Sequence, residues 1–302
     1  MPGVEKPMKL VPTNAIATLD PPRVAPFDPS KVVDDEPQFD VNPFTPRSKG
    51  AEEQPPAQGI DLTGKNKIIF AVGRGKTGKT TLLRWMAEAA LASGKSFLMA
   101  DIDPTNASFS SYFEGVSRPD TDDPAGVNRW LQAFIEYAVK HQTTAMIDLG
   151  GGDTTLRTLA TEMPGFAQQI EEAGLVPVNF YLAGTQPDDL APIATLAERG
   201  FSPRARAVVL NESAAEVGLS RQQAFMRVVR NRVLLDQLGG GAINLWMPRL
   251  HAADAVESRR STFAAARDGQ TIPPLGLFDR SRVRSWLDAM DKQFHGVKSW
   301  MP

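Results

Sequence analysis

The chain has 302 residues, 42% of them hydrophobic and 23% charged, with a net charge of −2 and no cysteine. This suits one large α/β domain or two small ones, and it excludes disulfides, thiolate metal sites and a cysteine nucleophile. No apolar run reaches the roughly 18 residues of a transmembrane helix, and the first residues lack the apolar core of a secretory signal, so the expected location is the cytoplasm.

Residues 1–60 carry 12 of the 24 prolines, no tryptophan and no tyrosine. Such a segment buries too little apolar surface to offset its ordering entropy and reads as a disordered tail. Pro43-Phe44-Thr45-Pro46 is a short island within it that a stimulating partner protein could engage. Residues 61–302 read as the folded domain. From Lys67 onward, short apolar runs alternate with helical stretches. Strands are expected at 68–72, 96–102, 144–149, 176–183, 205–210 and 243–247. Their runs are continuous, as in strands buried on both faces of a parallel sheet. Helices are expected near 79–93, 126–141, 154–173, 187–199, 218–238 and 280–294, the last with Val283, Trp286, Leu287, Met290 and Phe294 on one stripe. The alternation predicts a doubly wound, mostly parallel α/β sheet with helices on both faces.

The sharpest motif is Gly73-Arg74-Gly75-Lys76-Thr77-Gly78-Lys79-Thr80, followed by Thr81. It satisfies G-x-x-x-x-G-K-[ST] between an expected strand and an expected helix, which is the context a phosphate loop requires. Glycines let backbone N–H groups converge on phosphate oxygens, and the helix N-terminus adds a positive dipole end. Lys79 would bridge the β- and γ-phosphates of a nucleotide, and the Thr80 hydroxyl would ligate Mg²⁺. Asp101 and Asp103 end the second strand and Asp148 the third, where a carboxylate can hold magnesium-bound water. Gly150, Gly151 and Gly152 follow, able to swing an amide toward a γ-phosphate. His141, His251 and His295 are scattered and read as surface residues. Asp188 and Asp189 read as a helix start.

Charge is uneven along the chain. From Glu198 to Arg284 there are fourteen arginines, no lysine and eight acids. Such a segment is a candidate polyanion-binding face.

Taken together, the phosphate loop, Asp101-x-Asp103-Pro104-x-Asn106, Asp148-Leu149-Gly150-Gly151, Asn211 after Val208–Leu210, and Pro248 after Asn244–Met247 resemble the ParA/MinD family of deviant-Walker ATPases over about residues 66–270. The resemblance implies a slow, partner-stimulated ATPase in which ATP and Mg²⁺ join two protomers face to face. The homodimer then binds DNA without sequence preference, in plasmid partition or conjugal mobilisation. By the same resemblance Lys79 and Thr80 hold phosphate and magnesium, and Asp103 orients the attacking water. Asp101 and Asp148 are outer-shell magnesium carboxylates, Asn211 reads the adenine edge, and Pro248 lines the base. The family's signature lysine is Arg74 here, its second glycine is Lys76, and Thr105 stands where glutamine is common. Either Arg74 or Lys76 would therefore make the contact to the partner's phosphates, or that contact is lost. Arg204, Arg227, Arg230, Arg249, Arg259 and Arg260 are the expected DNA contacts. No membrane partner is expected, because the stripe ending at Phe294 is followed only by Lys298. The alternatives are a nucleotide-binding adaptor with little turnover and a small-molecule P-loop kinase or ligase.

Overall fold

The computed structural model describes residues 57–103, 108–150 and 154–302. Pro104, Thr105, Asn106, Gly151, Gly152 and the segment 1–56 lie outside the described residues. Six strands form one sheet: β1 (Lys67–Val72), β2 (Leu98–Asp101), β3 (Ala145–Asp148), β4 (Val176–Ala183), β5 (Ala205–Asn211) and β6 (Ile243–Met247). Their order is β2-β3-β1-β4-β5-β6, and every neighbouring pair is parallel. The chain leaves β1 toward one edge, returns through β3, and continues from β4 toward the other edge. The reversal opens a crevice at the C-terminal ends of β3, β1 and β4, the usual ligand position in such sheets.

The helices are α1 (Lys79–Ala92), α2 (Pro124–Lys140), α3 (Thr155–Glu162), α4 (Phe166–Glu172), α5 (Ala191–Glu198), α6 (Arg221–Val229), α7 (Arg232–Gly239), α8 (Ala253–Glu257), α9 (Phe263–Asp268) and α10 (Leu277–Gln293). Strand alternation divides the core between two faces. Ile69 and Ala71 of β1 pack with Leu82, Met86, Trp286 and Met290, whereas Ile68, Phe70 and Val72 pack with Leu131, Leu159 and Leu196. No helix among the described residues is long and apolar enough to cross a membrane.

Two expected helices are each broken in two. The 154–173 stretch is interrupted by Pro164, which has no N–H to donate, and by Gly165 at φ 76°. The 218–238 stretch is interrupted at Asn231, whose side chain accepts from the Val233 N–H at 2.9 Å and caps a new helix. Helix α10 begins at Leu277, three residues earlier than the apolar stripe implies.

The folded part also takes in residues that the sequence assigns to the tail. Gly59 N–H donates to Gly296 O at 2.9 Å, Trp300 Nε1–H to Ile60 O at 2.8 Å, and Leu62 N–H to Ser299 Oγ at 3.0 Å. Trp300 is 1% exposed and lies beside Phe180 of β4, so this clasp reaches the sheet. Trp300→Ala removes one hydrogen bond of the clasp and a large core side chain. It should lower unfolding stability by about 3–5 kcal/mol, measured as a fall in the denaturant midpoint with the m-value retained.

Candidate functional site

Strand β1 delivers the chain into the crevice, and the backbone of residues 73–78 shows why this sequence is needed. A Cβ on Gly73 would meet Leu182 O at 2.5 Å and Thr77 Oγ1 at 2.7 Å. Gly78 has φ 96°, and a Cβ there would meet Asn211 Nδ2 and Met247 Cε, each at 2.5 Å. Gly78 also stands at the N-cap of α1 without a side chain to bond the first-turn N–H groups. The positive end of a 14-residue helix stands at this point of the cleft. The exposed Lys76 takes φ 65° at the loop tip, a conformation that costs a side-chain-bearing residue about 1 kcal/mol and that glycine takes freely.

The side chains of the loop are tied to the backbone around them. Thr77 Oγ1 donates to Arg74 O at 2.8 Å, and Lys79 Nζ donates to Gly73 O at 3.1 Å and Arg74 O at 3.2 Å. The ammonium thus lies across the loop on a buried stem. Asn211, at the end of β5, donates from Nδ2 to Thr77 O at 2.9 Å while its Oδ1 accepts from Ser213 N–H at 2.9 Å. Its amide therefore braces the loop from the β5 side of the cleft.

The acidic side is built from β2 and β3. Thr80 Oγ1 donates to Asp148 Oδ2 at 2.6 Å and lies 3.3 Å from Ser108 Oγ. Asp101 is fully buried and accepts from Asp103 N–H at 3.2 Å and Ser110 N–H at 2.9 Å, so it organises the turn that carries Asp103. Asp103 itself lies against Gly150, where an added Cβ would come within 3.3 Å of its Cγ. Burial pushes the Asp148 carboxyl up to about 7; Asp101 and Asp103 add to the rise, and Thr80 and Lys79 oppose it. Among the described residues no three histidines or carboxylates converge to hold a metal alone. A hydroxyl and a carboxylate facing a phosphate site do suit Mg²⁺, which takes its remaining ligands from phosphates and water.

These groups line one cleft of about 1120 Å³. It contains Arg74, Gly75, Lys76, Gly78, Lys79, Thr80 and Thr81, with Asp103, Asp148 and Gly150 on one flank and Asn211 and Pro248 on the other. Gly151 lies outside the described residues. Several cleft residues escaped the sequence reading. The buried Arg84 pairs with Glu88 at 3.1 Å, packs between Tyr112 and Phe263 at 3.9 and 4.0 Å, and donates to Ser261 O. Glu88 accepts from Phe263 N–H at 2.6 Å, and burial raises its carboxyl against the pull of Arg84. Trp286 Nε1–H donates to Pro248 O at 2.9 Å, so α10 holds the loop that follows β6. The Arg84/Glu88 spacing of four on an expected helix was the available sequence signal.

Arg74 lies 3.7 Å from Asp189 of its own chain, and Asp189 also accepts from Gly184 N–H at 3.0 Å. Asp188 and Asp189 do stand in a helical start, the short 3-10 turn Pro187–Leu190. A second cavity of about 410 Å³ lies behind the loop, with Arg74, Leu149, Leu156, Arg157 and Leu196 in its wall. Among the expected DNA contacts, Arg204, Arg227, Arg230 and Arg260 are exposed. Arg249 instead donates to the carbonyls of Glu212 and Ala215, and Arg259 to those of Pro273 and Ala255.

No protein-family model matches the sequence, and no curated protein matches it. Solved structures resemble it at low identity. Cell division protein FtsY from Thermotoga maritima is 13% identical, with 76% of this chain and 71% of that chain covered and a TM-score of 0.39. Chloroplast FtsY from Physcomitrella patens is 15% identical, with 78% and 68% covered and a TM-score of 0.42. A GTPase in apo form from Pyrococcus abyssi is 14% identical, with 60% and 90% covered and a TM-score of 0.36. Likeness at these scores carries no argument about activity. The fold rests on the chain's own features: a six-stranded parallel sheet whose first strand runs through a glycine-rich loop into a helix.

The raised Asp148 carboxyl has a consequence for stability. The folded chain binds this proton more tightly than the unfolded one, so the contribution is full below about pH 4 and is lost as pH rises through about 7. Asp148→Asn should therefore raise the Tm of the magnesium-free protein at pH 8 and change it little at pH 5. Thermal scans at both values check this, and equal shifts at the two pH values would show that the carboxyl is not raised.

Proposed function

We propose that the chain is a magnesium-dependent ATP switch of the ParA/MinD kind, acting on DNA in partition or conjugal mobilisation. The observation that carries the reading is the phosphate loop on α1, with Lys79 across it and Thr80 on the carboxylate of Asp148. In this reading the backbone N–H groups of the loop and first helical turn bind phosphate oxygens. Lys79 exchanges its carbonyl partners for the β- and γ-phosphates, a charge-assisted contact. Magnesium, when bound, would supply positive charge that offsets the phosphate charge. Thr80 and Asp148 hold its place, and Asp101 keeps the turn of Asp103 in position. Asp103 orients the attacking water and receives its proton. Asn211 and Pro248 position the base, and ATP is the nucleotide the family resemblance implies.

Two such chains meeting across the phosphates would release Arg74 from Asp189 so that it could reach the partner's nucleotide. The exposed Arg204, Arg227, Arg230 and Arg260 would then serve as phosphate contacts on DNA. A nucleotide-binding adaptor with little turnover is the second reading. The pairing of Arg74 with Asp189 in one chain favours it, since that pair must break before any contact in trans.

Lys79→Ala should abolish ATP binding in calorimetry. Asp103→Ala should retain ATP binding, lose hydrolysis by about 10²-fold or more, and elute as a dimer that retains duplex DNA when ATP is present. Unaltered binding in the first variant would sink the phosphate-loop assignment. Unaltered turnover in the second would remove Asp103 from the chemistry, and negligible turnover by the parent would favour the adaptor.

A further inference from the structure

The second cavity, of about 410 Å³, opens behind the phosphate loop. Its volume falls within the roughly 300–1,000 Å³ of small-molecule sites. It is enclosed by the end of β1, the residues after β3, the first turn of α3, and α5 with the turn before it. Only Arg74 and Gly150 line both this cavity and the nucleotide cleft, so the two have separate floors.

The floor is aliphatic. Val72, Leu149, Leu156 and Leu196 all belong to the core on one face of the sheet, and Pro192 adds to the wall. Among the described residues that line it there is no aromatic ring, amide or imidazole. Such walls favour an apolar body and give a nucleobase nothing to stack on.

The rim is charged. Arg74 and Arg157 stand in the wall, and the exposed Asp188 lies at the mouth. Arg157 is half-buried, and among the described residues its guanidinium meets neither an acid nor a carbonyl. A cation partly removed from water without a partner is costly, and an anion placed against it offsets that cost. Arg74 does have a partner, Asp189, but at 3.7 Å and with the guanidinium side chain 53% exposed the pair is weak. Asp189 keeps its bond from Gly184 N–H, at 3.0 Å, when the guanidinium leaves.

We propose that this cavity binds a small monocarboxylate with an aliphatic body. The carboxylate meets Arg157 and draws Arg74 away from Asp189, since a planar guanidinium matches two carboxylate oxygens. The body lies on Val72, Leu149, Leu156 and Leu196 and buries apolar surface there. Any further charge on that body would rest on the aliphatic floor without a partner, which limits the ligand to one anionic end. The site goes beyond the nucleotide reading and does not depend on it.

Calorimetric titration of the nucleotide-free full chain with octanoate, and with octanol as its uncharged counterpart, tests the assignment. One-to-one octanoate binding is expected, with octanol about ten-fold weaker or more. Arg157→Gln should weaken octanoate about ten-fold. Asp189→Asn should tighten it about three-fold, because Arg74 is released while the Gly184 N–H keeps an acceptor. Ala191 is exposed and lines the mouth, so Ala191→Trp should block entry and abolish binding. Circular dichroism of the three variants should match the parent. Absence of octanoate binding up to millimolar concentration overturns the proposal. So does octanol binding as tightly as octanoate, several octanoates per chain, or affinity unaltered in any of the three folded variants. No nucleotide is present, so failure here is distinct from failure of the phosphate-loop assignment.

Discussion

One hydrogen bond, from the Thr80 hydroxyl to the buried Asp148 carboxylate, ties the first turn of α1 to the end of β3 at 2.6 Å. Its counterpart on the other side is the Asn211 amide, which reaches from β5 to Thr77 O. The phosphate loop hangs between these two braces. Both depend on the strand order, because only with β1 flanked by β3 and β4 do β3 and β5 approach the loop from opposite sides. The cost of the arrangement is a carboxyl deep in the protein, raised far above its ordinary range. A cation placed beside it would reverse that penalty, which links the electrostatics of the ligand-free chain to magnesium.

The sheet was legible because its strands are buried on both faces and read as continuous apolar runs. Every one of the six falls where such a run lies. The phosphate loop was legible because its glycines have no substitute: a Cβ at Gly73 or Gly78 would collide with β4, β5 or β6. Short elements were not legible. Helices α8 and α9 have five and six residues, too few for a period to emerge. The breaks at Gly165 and Asn231 were hidden because the apolar stripes resume on either side of them. The brace formed by Arg84 and Glu88 was missed because a buried ion pair and an exposed one have the same spacing in sequence.

The arginine surplus divides in a way that counting does not reveal. Arg206, Arg249, Arg259 and Arg280 hold loops and helix ends through backbone carbonyls, work for which a guanidinium with five donors is suited. Arg204, Arg227, Arg230, Arg260 and Arg284 remain exposed. The charge available to a polyanion is therefore smaller than the sequence total. Leu277 and Phe278 are exposed because α10 starts earlier than its apolar stripe.

Calorimetric titration of the unmodified chain with ATP and with GTP, each with and without magnesium, tests the central claim most directly. One-to-one binding that strengthens on adding magnesium, with ATP bound more tightly than GTP, is the result expected of a loop braced by Thr80, Asp148 and Asn211. Absence of binding by either nucleotide, or affinity indifferent to magnesium, would contradict it.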